Sequence, residues 1–123
     1  MTVVAAGKNL AVQRLFDGST TVALFNYGAI GTSVTTPTSS DTTLGAAVGT
    51  RVQDVNASPD PPSPSGSQSL VFTFAAGNGI GDISEFGLFN ASSGGTMLLR
   101  KIFPPITKDA STALVVTITT TVS

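Results

Sequence analysis

Residues 80–103 read IGDISEFGLFNASSGGTMLLRKIF. Side chains alternate along an extended chain, so Ile83, Glu85, Gly87 and Phe89 share one face and Ser84, Phe86 and Leu88 the other. Both faces are partly apolar, the pattern of a strand covered on two sides. Residues 90–95 (NASSGG) are turn chemistry, and residues 96–103 (TMLLRKIF) form the returning strand. Pro104 and Pro105 follow at once and are expected to end it, since proline cannot donate to a sheet ladder.

Outward from this pair the same period continues. Downstream, residues 113–122 (ALVVTITTTV) place Leu114, Val116, Ile118 and Val122 on one face, with Val115, Thr117, Thr119 and Thr121 on the other. Upstream, Leu70, Phe72 and Phe74 alternate, and the Gly77, Gly79, Gly81 string breaks the run as a hairpin turn. As a phosphate cradle that string would have to open a helix, and a strand follows it instead. Residues 58–69 (SPDPPSPSGSQS) are expected to be an extended surface loop.

In the first half, Leu10, Val12 and Phe16 alternate as a strand, Asp17 and Gly18 give a turn, and residues 20–25 (TTVALF) return. Residues 26–40 are rich in Gly, Thr and Ser and read as a long loop. Asp41 caps a short helix near residues 41–49, with Leu44 and Val48 on one face and Gly49 as its stop. Residues 51–57 form a short strand. The expected fold is therefore all-β, an antiparallel β-sandwich or jelly-roll-like domain over residues 1–123, with one short helix. Its core is expected to hold Phe72, Phe74, Phe86, Phe89, Leu99, Phe103, Leu114, Val116 and Ile118.

Composition narrows the chemistry. The 123 residues contain no Cys and no His. This removes thiol nucleophiles, disulfides, zinc fingers and Ser-His-Asp triads. Six basic residues against seven acidic leave no excess of positive charge for a phosphate backbone, so no nucleic-acid partner is expected. No apolar run reaches the roughly 18 residues of a membrane helix, and no membrane partner is expected. The first ten residues lack a basic start and a long apolar stretch, so the expectation is synthesis in a cytoplasm without a secretory leader.

Asp82 and Glu85 are three apart and point to opposite faces of a strand, which is no glycosidase pair. Asp41, Asp54 and Asp60 are scattered and form no calcium loop. All these carboxylates read as surface or turn groups. Lys8, Lys101 and Lys108 read as solvated, and Tyr27 as a ring exposed on a loop. No catalytic, cofactor-binding or metal-binding residue is assigned, and no cofactor or enzymatic activity is expected. What stands out is the surface. Charged residues are 11% of the chain, against roughly 25% in an ordinary soluble domain. Thr and Ser make up about a quarter of it. So little charge protects poorly against association, which suits a surface covered in an assembly.

Two stretches carry a family resemblance. Residues 26–44 (NYGAIGTSVTTPTSSDTTL) follow a hydrophobic-Gly-x-Gly-Thr pattern, then small polar residues, Pro, and Asp-Thr-x-Leu. Residues 80–108 carry a companion pattern: Glu85, Gly87, Leu88, Phe89; then Gly95, Thr96, Met97, Leu98; then Phe103, Pro104, Ile106, Thr107, Lys108. Together they resemble small β-rich virion proteins of tailed bacteriophages and prophages, of capsid-decoration and tail-fibre type.

The resemblance implies a non-enzymatic structural protein, first a capsid decoration (cement) protein on the outside of an icosahedral head. It implies the major capsid protein as partner and a homo-oligomer, with a trimer favoured. A tail-fibre or tail-adaptor module is the alternative, and a carbohydrate-binding β-sandwich the second. The elements expected to face a shell are the neutral residues 1–6 and the loop of residues 26–40.

Overall fold

The computed structural model describes residues 2–16, 23–54 and 67–121. In chain order these form β1 (Thr2–Val3), α1 (Ala5–Phe16), β2 (Tyr27–Gly31), β3 (Ala47–Gln53), β4 (Ser67–Phe74), β5 (Gly81–Phe89), β6 (Met97–Lys108) and β7 (Leu114–Thr121). Five strands make one sheet in the order β1-β6-β5-β2-β3, and β4 pairs with β7 in a second sheet. Every pairing is antiparallel. The fold is all-β with one short helix.

β5 lies between β6 and β2, and its last seven residues are all buried. Its two faces serve two different clusters. Phe86 and Leu88 join Ile30, Phe72, Phe74, Ile83, Leu99 and Ile118 in a cluster drawn from both sheets. Phe72 of the second sheet meets Phe86 of the first at a ring-centroid distance of 5.4 Å and a tilt of 46°, within the range where aromatic pairs attract. Phe89, on the other face, packs with Val4, Ala29, Leu44 and Met97.

The β5–β6 register is irregular at two points, between Ile83 and Glu85 and between Leu88 and Phe89. Ile83 pairs with Ile106 while Glu85 pairs with Ile102, so a bulge intervenes. The extra residues lie on β6, where residues 103–105 stand against Ser84. At this irregularity Ile83 packs in the Phe86 cluster and not with Phe89. The same bulge accommodates Pro104 and Pro105. They do not end β6, which runs on to Lys108, because the extra residues there need not donate to β5.

The first half departs further from the sequence reading. Residues 5–16 are helix, not strand. AAGKNLAVQRLF is rich in good helix formers, and the Lys8 amide donates to the Val4 carbonyl at 3.0 Å. The helix lies on β6 through Gly7, where an added Cβ would sit 2.6 Å from the Met97 carbonyl oxygen and against the Leu98 backbone. Gly7→Ala should therefore lift the helix and cost about 1–3 kcal/mol in urea denaturation, despite alanine's better helix propensity. A loss under about 0.5 kcal/mol would mean that the helix does not dock there.

The expected loop of residues 26–40 contains β2, a central strand. The expected helix near residues 41–49 is absent: residues 41–46 are irregular, and β3 starts at Ala47. The turn at Gly77, Gly79 and Gly81 is real, with φ of 85°, 80° and 137°. It is not a hairpin, however, because β4 and β5 belong to different sheets. Asp17, Gly18, residues 20–22, residues 58–66 and Val122 lie outside the described residues; of the expected loop, residues 67–69 belong to β4, and of the expected strand, residues 23–25 are irregular.

Candidate functional site

Two features are built from side chains that the sequence reading placed elsewhere. The first is an ion cluster under the loop of residues 32–46. Glu85 is wholly buried and Arg100 is 2% exposed. Arg100 Nη2 lies 2.8 Å from Glu85 Oε2, and its Nε donates to the same oxygen at 2.9 Å. Nη1 reaches Asp41 Oδ2 at 3.1 Å, and Nη2 donates to Ser33 Oγ at 3.3 Å.

Glu85 also accepts the Gly45 amide at 3.0 Å and the Ala46 amide at 2.7 Å. Ser84 Oγ donates to the Ser33 carbonyl at 2.8 Å. The loop is thus held at both ends by neighbouring residues of one strand. This is also why no helix forms at residues 41–49: Glu85 takes two amides there, and Asp41 instead accepts the amide and hydroxyl of Thr38.

Those Thr38 bonds, with Arg100 adding to them, hold the Asp41 carboxyl below its ordinary value of 3.8. Because the folded value is the lower one, the stabilisation is complete above 3.8 and is lost as pH falls through the folded value. Acidification should therefore destabilise the wild type more than Asp41→Asn. Urea midpoints at neutral and acid pH test this, and equal slopes for the two proteins would refute it.

The second feature is an open groove of about 420 Å³ between β6 and β7. Its lining includes Phe86, Lys101, Phe103, Ile106, Leu114 and Val116. Phe103, Leu114 and Val116 were expected in the core with Phe72, Phe74, Phe86, Phe89, Leu99 and Ile118. The last six are buried, whereas the first three are only half-buried against the cluster. Among the described residues the ribbon of β4 and β7 does not cover them fully, and Ile106 is 47% exposed.

Other charged groups also depart from the surface reading. Lys108 is buried, with Nζ donating to the Ala75 carbonyl at 2.9 Å. Asp54 is buried and accepts the Val71 amide at 2.8 Å. Arg51 stands 3.5 Å above the Phe89 ring and donates to the Ala91 and Gly94 carbonyls, which fixes the β5–β6 turn. Tyr27 is half-buried in β2 and packs against the Phe89 cluster. Asp82 is exposed and accepts the Thr107 hydroxyl, so it is not brought to Glu85. Asp109 accepts from Ser111 and Thr112 in the turn before β7, which draws its carboxyl down to about 2.

The sequence did carry a signal for the ion cluster. Glu85 and Arg100 stand in the apolar middle of their strands, Glu85 between Ile83 and Phe86 and Arg100 after Met97, Leu98 and Leu99. A charge so placed has to be paired. Among the described residues no group of three His, Cys, Asp or Glu could hold a metal ion, and no helix is long and apolar enough to cross a membrane. No protein-family model matches the chain, and no curated protein matches it.

Proposed function

We propose that this chain is a non-enzymatic virion structural protein, a capsid decoration protein that binds the major capsid protein on the outside of an icosahedral head as a homo-oligomer. The observation that carries the reading is the groove, where side chains of core character stand half-exposed on a molecule with very few charges. A surface of that kind is stable when covered. The resemblance of residues 26–44 and 80–108 supplies the kind of assembly. The buried ions support the structural role, because Glu85, Arg100 and Asp41 all hold one loop in place.

That loop is the better shell-facing candidate. Residues 1–6 are not a free arm: Thr2 and Val3 pair with β6 and Val4 is fully buried. Of residues 26–40, β2 is enclosed, which leaves residues 32–40. There Val34 is 70% exposed on a chain held from beneath, so little ordering is lost on binding.

The test is to strip this protein from virions that carry it and add it back. The expected result is that stripped heads break more readily under heat or osmotic shock and that re-addition restores them. Rebinding should depend weakly on salt, since few charges are available. Val34→Asp should weaken rebinding without unfolding the protein. Heads as robust without the protein as with it would overturn the decoration role.

A further inference from the structure

We infer that the free edge of β7 is a two-fold contact, pairing antiparallel with β7 of a second copy. The groove and the backbone both point to it. Among the described residues β7 has one paired neighbour, β4. Its other edge carries backbone donors and acceptors that an extended chain satisfies.

The other edges are protected in the usual ways. β6 carries Lys101, Pro104 and Pro105 along its length beyond β1, β1 is two residues long, and β3 carries Gly49 and Arg51. On β4, the Val71 amide is already bonded by Asp54. Residues 110–121, by contrast, contain no charge, no Pro and no Gly. Nothing on this strand repels a copy of itself.

The side-chain pattern is self-complementary. Leu114, Val116 and Ile118 are half-buried or buried against the core, Val115, Thr117 and Thr119 are exposed, and all six border the groove along the strand edge. With Val116 on the axis, Leu114 stands opposite the second copy's Ile118 on either side. The two half-open grooves then join into one apolar layer, and Val115 meets Thr117 outside. Registers that put no residue on the axis oppose the apolar row to the threonine row.

The contact deepens the proposed assembly and rests on it for bringing copies together. It is distinct from a three-fold contact. Neighbouring three-fold positions on an icosahedral shell are related by two-fold axes, so both contacts can coexist and would link the decoration into a net.

The chain has no cysteine, so single cysteines report the contact directly. Val115→Cys, Val116→Cys, Thr117→Cys and Ile118→Cys are oxidised separately in the otherwise intact protein, with folding checked by circular dichroism. In the proposed register the two copies of residue 116 have Cα atoms about 4.5–5.5 Å apart, within disulfide reach. Copies of residue 115 or 117 are about 8 Å apart, and those of 118 farther, beyond that reach.

The expected result is a cross-linked dimer of Val116→Cys at a yield several-fold above the other three. Adding Thr117→Lys, on the exposed face, should suppress it. Equal yields, a maximum elsewhere, or no cross-link at residue 116 would overturn the inference. Failure of the protein to return to stripped heads would overturn the decoration reading instead, and a cross-link obtained in solution would survive that result.

Discussion

Arg100→Met is expected to lower stability by about 3–5 kcal/mol at neutral pH, the usual consequence of removing one partner from a buried ion pair. Glu85, wholly buried in the native protein, would keep the Gly45 and Ala46 amides but lose the Arg100 guanidinium that pairs its charge. Asp41 and Ser33 would lose their shared anchor at the same time. The damage should extend along the loop, with faster hydrogen exchange at the Gly45 and Ala46 amides and easier proteolysis in residues 32–46. Glu85→Gln with Arg100→Met should lose less than the sum of the two single changes, because the neutral side chain leaves no unpaired charge. A loss below about 1 kcal/mol, or strict additivity, would mean that the cluster does not hold the loop.

Phe89→Ala should cost about 3–5 kcal/mol, as large-to-small changes of a buried aromatic do. Phe89 is 2% exposed and lies among Val4, Ala29, Leu44 and Met97. It is also the surface on which Arg51 rests while holding the Ala91 and Gly94 carbonyls. The variant should therefore loosen the β5–β6 turn as well as open a cavity. Arg51→Met, which keeps an apolar stem over the ring, should cost far less. Denaturant unfolding of both variants decides the point, and a loss below about 1 kcal/mol for Phe89→Ala would mean that the second face of β5 is not a packed core.

The fold was most legible where burial and period agree. β4, β5 and β7 follow from alternating apolar residues, and the half-buried, exposed alternation of residues 114–117 leads into buried Ile118 as expected. It was least legible where a short apolar alternation met a good helix composition. Leu10, Val12 and Phe16 fit a period of two, but residues 5–16 are helix formers, and the close approach of Gly7 to β6 gives the helix a seat.

Residues 41–49 failed for a non-local reason. Asp41 and the Leu44–Val48 spacing suit a helix, but the competing partner, Glu85, lies some forty residues away along the chain. The ion cluster was missed in the same way. Glu85 and Arg100 are fifteen residues apart in sequence and adjacent only because β5 and β6 pair in one register. The groove was half visible: the sequence identifies Phe103, Leu114 and Val116 as core material, but not that among the described residues the second sheet has two strands.

The proposed decoration role requires this surface to be covered on a phage head. The most direct measurement is to add tagged protein back to stripped virions and locate the tag by negative-stain microscopy. Label distributed over the head is the predicted result. Label confined to the tail, or none on the particle, would contradict it, and label on the tail would put a tail module in its place.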